Sequence, residues 1–196
     1  MKPMNIMIVG VGGQGSLLAS RLMGALALRA GFDVKVSEVH GMSQRGGSVV
    51  TYVKFGPKVY SPTIDPGEAD LLISFELLEA VRYLPHLKKD GVLLTSTQQI
   101  MPMPVLTGAA AYPEDIVPKI ENLGVRLVEI DAAALSAKAG HARTVNMVMM
   151  GAASVYMNMP AEDWQAAMAS VIPVHLLDMN KAAFQLGRSA GEGTVR

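Results

Sequence analysis

At 196 residues the chain suits one domain with a proper core, and half of its residues are hydrophobic. Lys and Arg number 17, as do Asp and Glu, so there is no net charge and no basic stripe to hold nucleic acid. The absence of cysteine excludes disulfides, thiol nucleophiles, zinc–thiolate sites and cysteine-ligated iron–sulfur clusters from this chain.

The N-terminus superficially resembles a signal peptide, but Arg21 interrupts the apolar run and a glycine cluster occupies its start. The apolar run 5–9 predicts a buried strand. Gly10-Val11-Gly12-Gly13-Gln14-Gly15 follows, and Leu17, Leu18, Leu22, Met23 and Leu26 then recur at helical spacing. Strand, glycine turn and helix together predict the opening of a doubly wound α/β domain. Gly10 permits a tight turn, Gly12 lets a ligand approach the backbone, and Gly15 lets the helix pack closely. The first N–H groups of such a helix attract an anion. The same spacing also suits a glycine turn that serves packing alone. Ser16 is placed to contact phosphate or to cap.

A second strand is predicted over 34–40, with Glu38 near its end, where a ribose-binding acid would sit. The loop Gly41-Met42-Ser43-Gln44-Arg45-Gly46-Gly47 follows and leads into a strand over 49–55. Glu38 and Arg45 either pair with each other or face a ligand. His40 is the one histidine near the glycine loop. His86 and His141 read as solvent-facing, and no pair of histidines has the spacing of a helical metal site.

Further on, strands are predicted over 71–75, 92–96 and 126–130. A helix is predicted over 76–87 with Leu77, Leu78, Val81 and Leu84 inward, and another over 114–122. Residues 97–113 form a long proline-containing loop, of a kind that usually serves function or covers something. Asp131 is placed to cap a helix over 132–139. The segment 144–157 is apolar nearly all round, which predicts a buried helix, and Asn146 is a lone amide within it. It must bond a loop across the core or face a site. Helices over 160–170 and 173–187 follow, each opened by a proline. Of the 14 methionines, several cluster in 144–157 and around Met101 and Met103, as core filler or as an adaptable surface for a partner.

The glycine motif and the run Ser37-Glu38-Val39-His40-Gly41-Met42-Ser43-Gln44-Arg45-Gly46-Gly47-Ser48-Val49 together resemble the gamma subunit, or gamma domain, of the 2-oxoacid:ferredoxin oxidoreductases. Pro102-Met103-Pro104-Val105, Tyr112-Pro113, Asn146 and the ending Asn180-Lys181-Ala182-Ala183-Phe184-Gln185-Leu186-Gly187 strengthen the likeness, which runs over about residues 4–187 and is strongest toward the members acting on indolepyruvate. The expected fold is α/β: a single Rossmann-like, mostly parallel sheet with helices on both faces and a C-terminal helical cluster. One gamma-type domain is expected over 1–188, with a flexible tail over 189–196.

The resemblance implies an accessory subunit, inert alone, in a multi-subunit complex; no stretch of the sequence is long and apolar enough to span a membrane, so a cytoplasmic setting is expected. That complex converts an arylpyruvate such as indolepyruvate to its acyl-CoA and reduces ferredoxin. Thiamine diphosphate and the iron–sulfur clusters are expected on partner subunits, with no metal, membrane or nucleic acid at this chain. Coenzyme A is the ligand the resemblance suggests for Gly10, Gly12, Gly13, Gln14, Gly15, Glu38, Gln44, Arg45, Gly46 and Gly47. No catalytic residue is expected here. A free-standing NAD(P)-dependent dehydrogenase and a small nucleotide-binding module remain alternatives, since both use the same glycines.

Overall fold

The computed structural model describes residues 2–41 and 46–194. Six strands form one sheet: β1 (Met4–Val11), β2 (Asp33–His40), β3 (Ser48–Gly56), β4 (Ala69–Ser74), β5 (Leu87–Ser96) and β6 (Arg126–Ile130). Their order is β2-β3-β1-β4-β5-β6. β1, β4, β5 and β6 pair in parallel, whereas β3 runs against both of its neighbours. The sheet is therefore mixed.

A doubly wound opening would set β2 beside β1 as a parallel neighbour, but β3 lies between them. The reason is loop length. Seven residues join β2 to β3, too few for the crossover that a parallel neighbour needs. The chain must turn back antiparallel, and β3 then pairs with β1 along its whole length.

Helices cover both faces. On one face lie α1 (Ser16–Arg29), α5 (Ala132–Lys138), α6 (Val145–Ser154), α7 (Ala161–Val171) and α8 (Val174–Thr194), around Ile6, Ile8, Leu71 and Leu94. On the other lie α2 (Leu77–Tyr83) and α4 (Ile116–Asn122), around Met7, Val9, Leu72 and Leu93. Alternate residues of β1 thus enter different cores, which explains why the strand reads as one unbroken apolar run. A four-residue helix, α3 (Met103–Leu106), lies within the long loop.

Several boundaries differ from expectation. α2 is short and passes into a 3-10 turn at Leu84–His86, where Pro85 interrupts the α-helix. Its buried residues are Leu77, Glu79 and Ala80, while Val81 is exposed. His86 is half-buried against Tyr83. β5 begins at Leu87, before the expected strand.

The polar segment after Ser189 is not a loose tail as far as Thr194. α8 continues through it, with Gly191 buried against α6 and an Arg188–Glu192 pair one turn apart. α6 is buried from Asn146 to Ser154, as its composition predicts. Asp131 caps α5 by accepting from the Ala134 N–H.

Candidate functional site

The chain leaves the core at Val11 and must enter α1 by Ser16. Gly13 and Gly15 make this turn with φ of 103° and 86°, the left-handed region that side chains resist. Gly10 sits below the turn, where a Cβ would come within 2.7 Å of Gln14 Oε1. Gln14 itself folds inward. Its Oε1 accepts from the Val11 N–H at 2.7 Å, and its Nε2 donates to Phe75 O at 2.9 Å and to Gln98 Oε1 at 3.2 Å. The amide thus clamps the loop to the segments that follow β4 and β5.

Asn146, on α6, supports the turn from beneath. Its Nδ2 donates to Gly15 O at 3.3 Å, and its Oδ1 accepts from the Met147 N–H. It therefore bonds a loop across the core. The first N–H groups of α1 have no intrahelical partner, and no side chain caps them. Ser16 does not cap, because its hydroxyl donates to Glu38 at 3.0 Å.

Two clefts flank the loop. The one toward β2 has a volume of about 380 Å³ and is lined by Gly12, Gly13, Gly15, Glu38 and His40, among others. Glu38 accepts from both Ser16 and Thr51, so its carboxylate ties α1 to β3. Gly12 donates its N–H to Gly47 O at 2.9 Å, which joins the glycine loop directly to the loop after β2. Gly46 is left-handed with open space around it. Ser48 then donates to the buried carboxylate of Glu79, which also accepts from Arg82 Nε at 3.1 Å. Gln44 and Arg45 lie outside the described residues.

The second cleft, of about 430 Å³, is lined by Gly13, Gln14, Gly15, Gln98, Arg143 and Asn146, with Leu18, Ala142 and Val145. Arg143 is exposed and takes part in none of the ion pairs among the described residues. It lines the same cleft as the start of α1, whose positive dipole end disfavours a cation and favours an anion. Sequence reasoning missed Arg143 and Gln98. A signal existed for Arg143: it immediately precedes a buried helix, and a cation is unfavourable at that end of a helix dipole.

Behind the loop lies Glu76, 1% exposed. It caps α2 by accepting from the Glu79 N–H and also accepts from Ile100 N–H and Tyr112 O–H. Burial first, and this carboxylate second, push the Tyr112 hydroxyl well above its ordinary pKa. Among the described residues, the uncapped N–H groups at the start of α1 and the Arg143 guanidinium face one cleft, an arrangement with the chemistry to accept an anion. It can hold and orient a phosphate-bearing ligand.

The family profile described as "Pyruvate ferredoxin/flavodoxin oxidoreductase" matches residues 5–190. The chain is 44% identical to the indolepyruvate oxidoreductase subunit IorB of Thermococcus kodakarensis, over 98% of both chains. Its fold superposes with a TM-score of 0.71 on the keto/oxoacid ferredoxin oxidoreductase gamma subunit of Geobacter sulfurreducens, at 22% identity, covering 97% of this chain and 99% of that one. It also superposes on the 2-oxoglutarate:ferredoxin oxidoreductase of Magnetococcus marinus, solved with 2-oxoglutarate, coenzyme A and succinyl-CoA bound. There the TM-score is 0.75 at 18% identity, and the match covers 98% of this chain and 32% of the larger one.

Proposed function

The chain belongs to the pyruvate ferredoxin/flavodoxin oxidoreductase family and is a subunit of a 2-oxoacid:ferredoxin oxidoreductase, and on that premise we propose that it holds coenzyme A for a complex that oxidises an arylpyruvate such as indolepyruvate. The substrate class follows the name of the Thermococcus relative. The proposed setting is the cytoplasm, with thiamine diphosphate and iron–sulfur clusters on partner subunits. Two electrons and carbon dioxide leave the oxoacid there, and the acyl group forms a thioester.

This chain's part is binding and orientation. The carrying observation is the uncapped start of α1 at left-handed Gly15 with Arg143 across the cleft. N–H groups of that start donate to a diphosphate, and Arg143 adds a charge-assisted contact. Gly12 and Gly13 leave the backbone open to close approach. Gly46 and Gly47 border the same loop from the β2 side, and the proposal keeps them, together with Gln44 and Arg45, as ligand contacts. Gly10 and Gln14 shape the cradle from inside, and Glu38 fixes its β2 wall.

The test is calorimetric titration of coenzyme A into the reconstituted complex. Arg143→Ala is expected to weaken binding about tenfold, the loss of a contact worth roughly 1.5 kcal/mol. Gly12→Val is expected to weaken it further by blocking approach. Unchanged affinity in both variants refutes the site, and micromolar affinity for NADH in place of coenzyme A favours a dehydrogenase. The isolated chain is expected to turn over no 2-oxoacid with a ferredoxin or viologen acceptor.

A further inference from the structure

The segment 97–112 carries no charged residue, yet it stands at the surface beside the glycine loop. Both of its ends are tied to one element. Leu77 donates its N–H to Gln98 O at 2.9 Å, and Ile100 donates its N–H to Glu76 Oε1 at 3.0 Å. Tyr112 O–H donates to that same oxygen at 2.6 Å. Between these anchors the chain bonds to itself: Thr107 N–H reaches Met103 O, and the N–H groups of Ala109 and Ala110 both reach Pro104 O. The result is a compact lobe, fixed at its base by a buried carboxylate. It presents Met101, Met103 and Leu106 outward, the last two 65% and 66% exposed.

We propose that this lobe, residues 101–111, is the docking knob by which the chain engages the subunit that carries the oxoacid chemistry. The proposal rests on the coenzyme A reading above. Gln98, at the foot of the lobe, bonds Gln14 of the glycine loop, so knob and ligand cradle share one edge of the sheet. A thiol held at that edge must reach a carbon bound on another subunit. That subunit must therefore close on this edge and meet the lobe. An uncharged projection with two methionines and a leucine needs an apolar socket, and methionine adapts to such a surface. Leu17 is also exposed, but it sits within the cradle itself, whereas Leu123 follows α4 and precedes the start of β6, at the opposite end of the sheet.

The experiment compares the parent chain, a Met103→Asp, Leu106→Asp double variant, and Leu123→Asp as a control. Each is measured for binding to the thiamine-diphosphate-bearing partner subunit by surface-immobilised titration. All three positions are well exposed, so thermal melting of the isolated chain is expected to stay unchanged and to report any misfolding. The inference expects the double variant to bind at least tenfold more weakly and Leu123→Asp to bind like the parent. Equal binding of the double variant overturns it while leaving the coenzyme A reading intact. Failure of the parent itself to bind removes the subunit reading and the inference with it. If the double variant instead abolishes self-association and leaves partner binding untouched, the lobe is a contact between copies and the proposal fails.

Discussion

At Gly15 two requirements meet on one backbone atom. Its φ of 86° disfavours any side chain, and a Cβ there would approach Asn146 Nδ2 to 2.5 Å. At Gly13 only the first requirement holds, since open space surrounds that position. Gly13→Ala is therefore expected to cost about 1–2 kcal/mol from backbone strain alone. Gly15→Ala should cost measurably more, because Asn146 must also move. Urea midpoints of the two variants read the difference, and equal losses would show that Asn146 yields freely. Tyr112 offers a second residue-level test. Its folded pKa lies above the ordinary value of 10.0, because burial and the Glu76 contact favour the protonated phenol. The folded state then holds the proton more tightly than the unfolded state. Its contribution is fully present below pH 10 and is lost as pH rises through the folded pKa. Tyr112→Phe should cost about 1 kcal/mol at pH 8, the worth of one hydrogen bond, and should remove part of the alkaline decline. Urea unfolding at pH 8 and 11 tests both; parallel declines for variant and parent would exclude Tyr112 from it.

At the scale of elements, the tightest joint is between α6 and α8. A Cβ on Gly151 would overlap the carbonyl of Phe184, and one on Gly187 would overlap the carbonyl of Val148. The helices therefore touch backbone to backbone. Helix propensity alone makes Gly→Ala stabilising by about 1 kcal/mol at an interior position. Close approach predicts the opposite sign here, a loss of about 3 kcal/mol as the helices are forced apart. Thermal unfolding of Gly151→Ala and Gly187→Ala settles the sign; a raised melting temperature would mean the helices separate easily. The same joint bears on the site, because α6 carries Asn146 at its first turn and so supports Gly15. A strained joint is thus expected to loosen the ligand loop as well.

For the whole molecule, the glycine loop is a meeting point of distant segments. β1 and α1 supply its backbone, the Gly47 carbonyl ties it to the start of β3, and α6 and the segments after β4 and β5 hold it from behind. A ligand that bridges this loop and Arg143 should stabilise the folded chain by mass action. Coenzyme A at a hundredfold excess over its dissociation constant is expected to add about 2.7 kcal/mol. The complex should then melt at a higher temperature with coenzyme A than without it. Arg143→Ala should shrink that rise while leaving the melting temperature of the unliganded complex unchanged. A rise of the same size in the variant would move the anion away from Arg143.

The sequence by itself determined the strand–glycine–helix opening, the buried helix at α6 and the cap at Asp131. Each is written in neighbouring residues, through hydrophobic period, glycine spacing or a side chain bonding three positions on. Its lack of cysteine also determined that no cysteine-held cluster resides here. The short loop after β2 dictates an antiparallel return, but tertiary structure alone decided that β3 enters between β1 and β2, since its pairing with β1 has no local signature. It turned Gln14 inward as a clamp, because its partners at Phe75 and Gln98 come from other strand ends. It gave Glu79 a buried place, because Ser48 and Arg82 supply its hydrogen bonds. It also brought Arg143 to the glycine loop. A residue's period reports which face it occupies. The partner waiting on that face depends on how the sheet closes, and that is set by contacts between segments far apart in the chain.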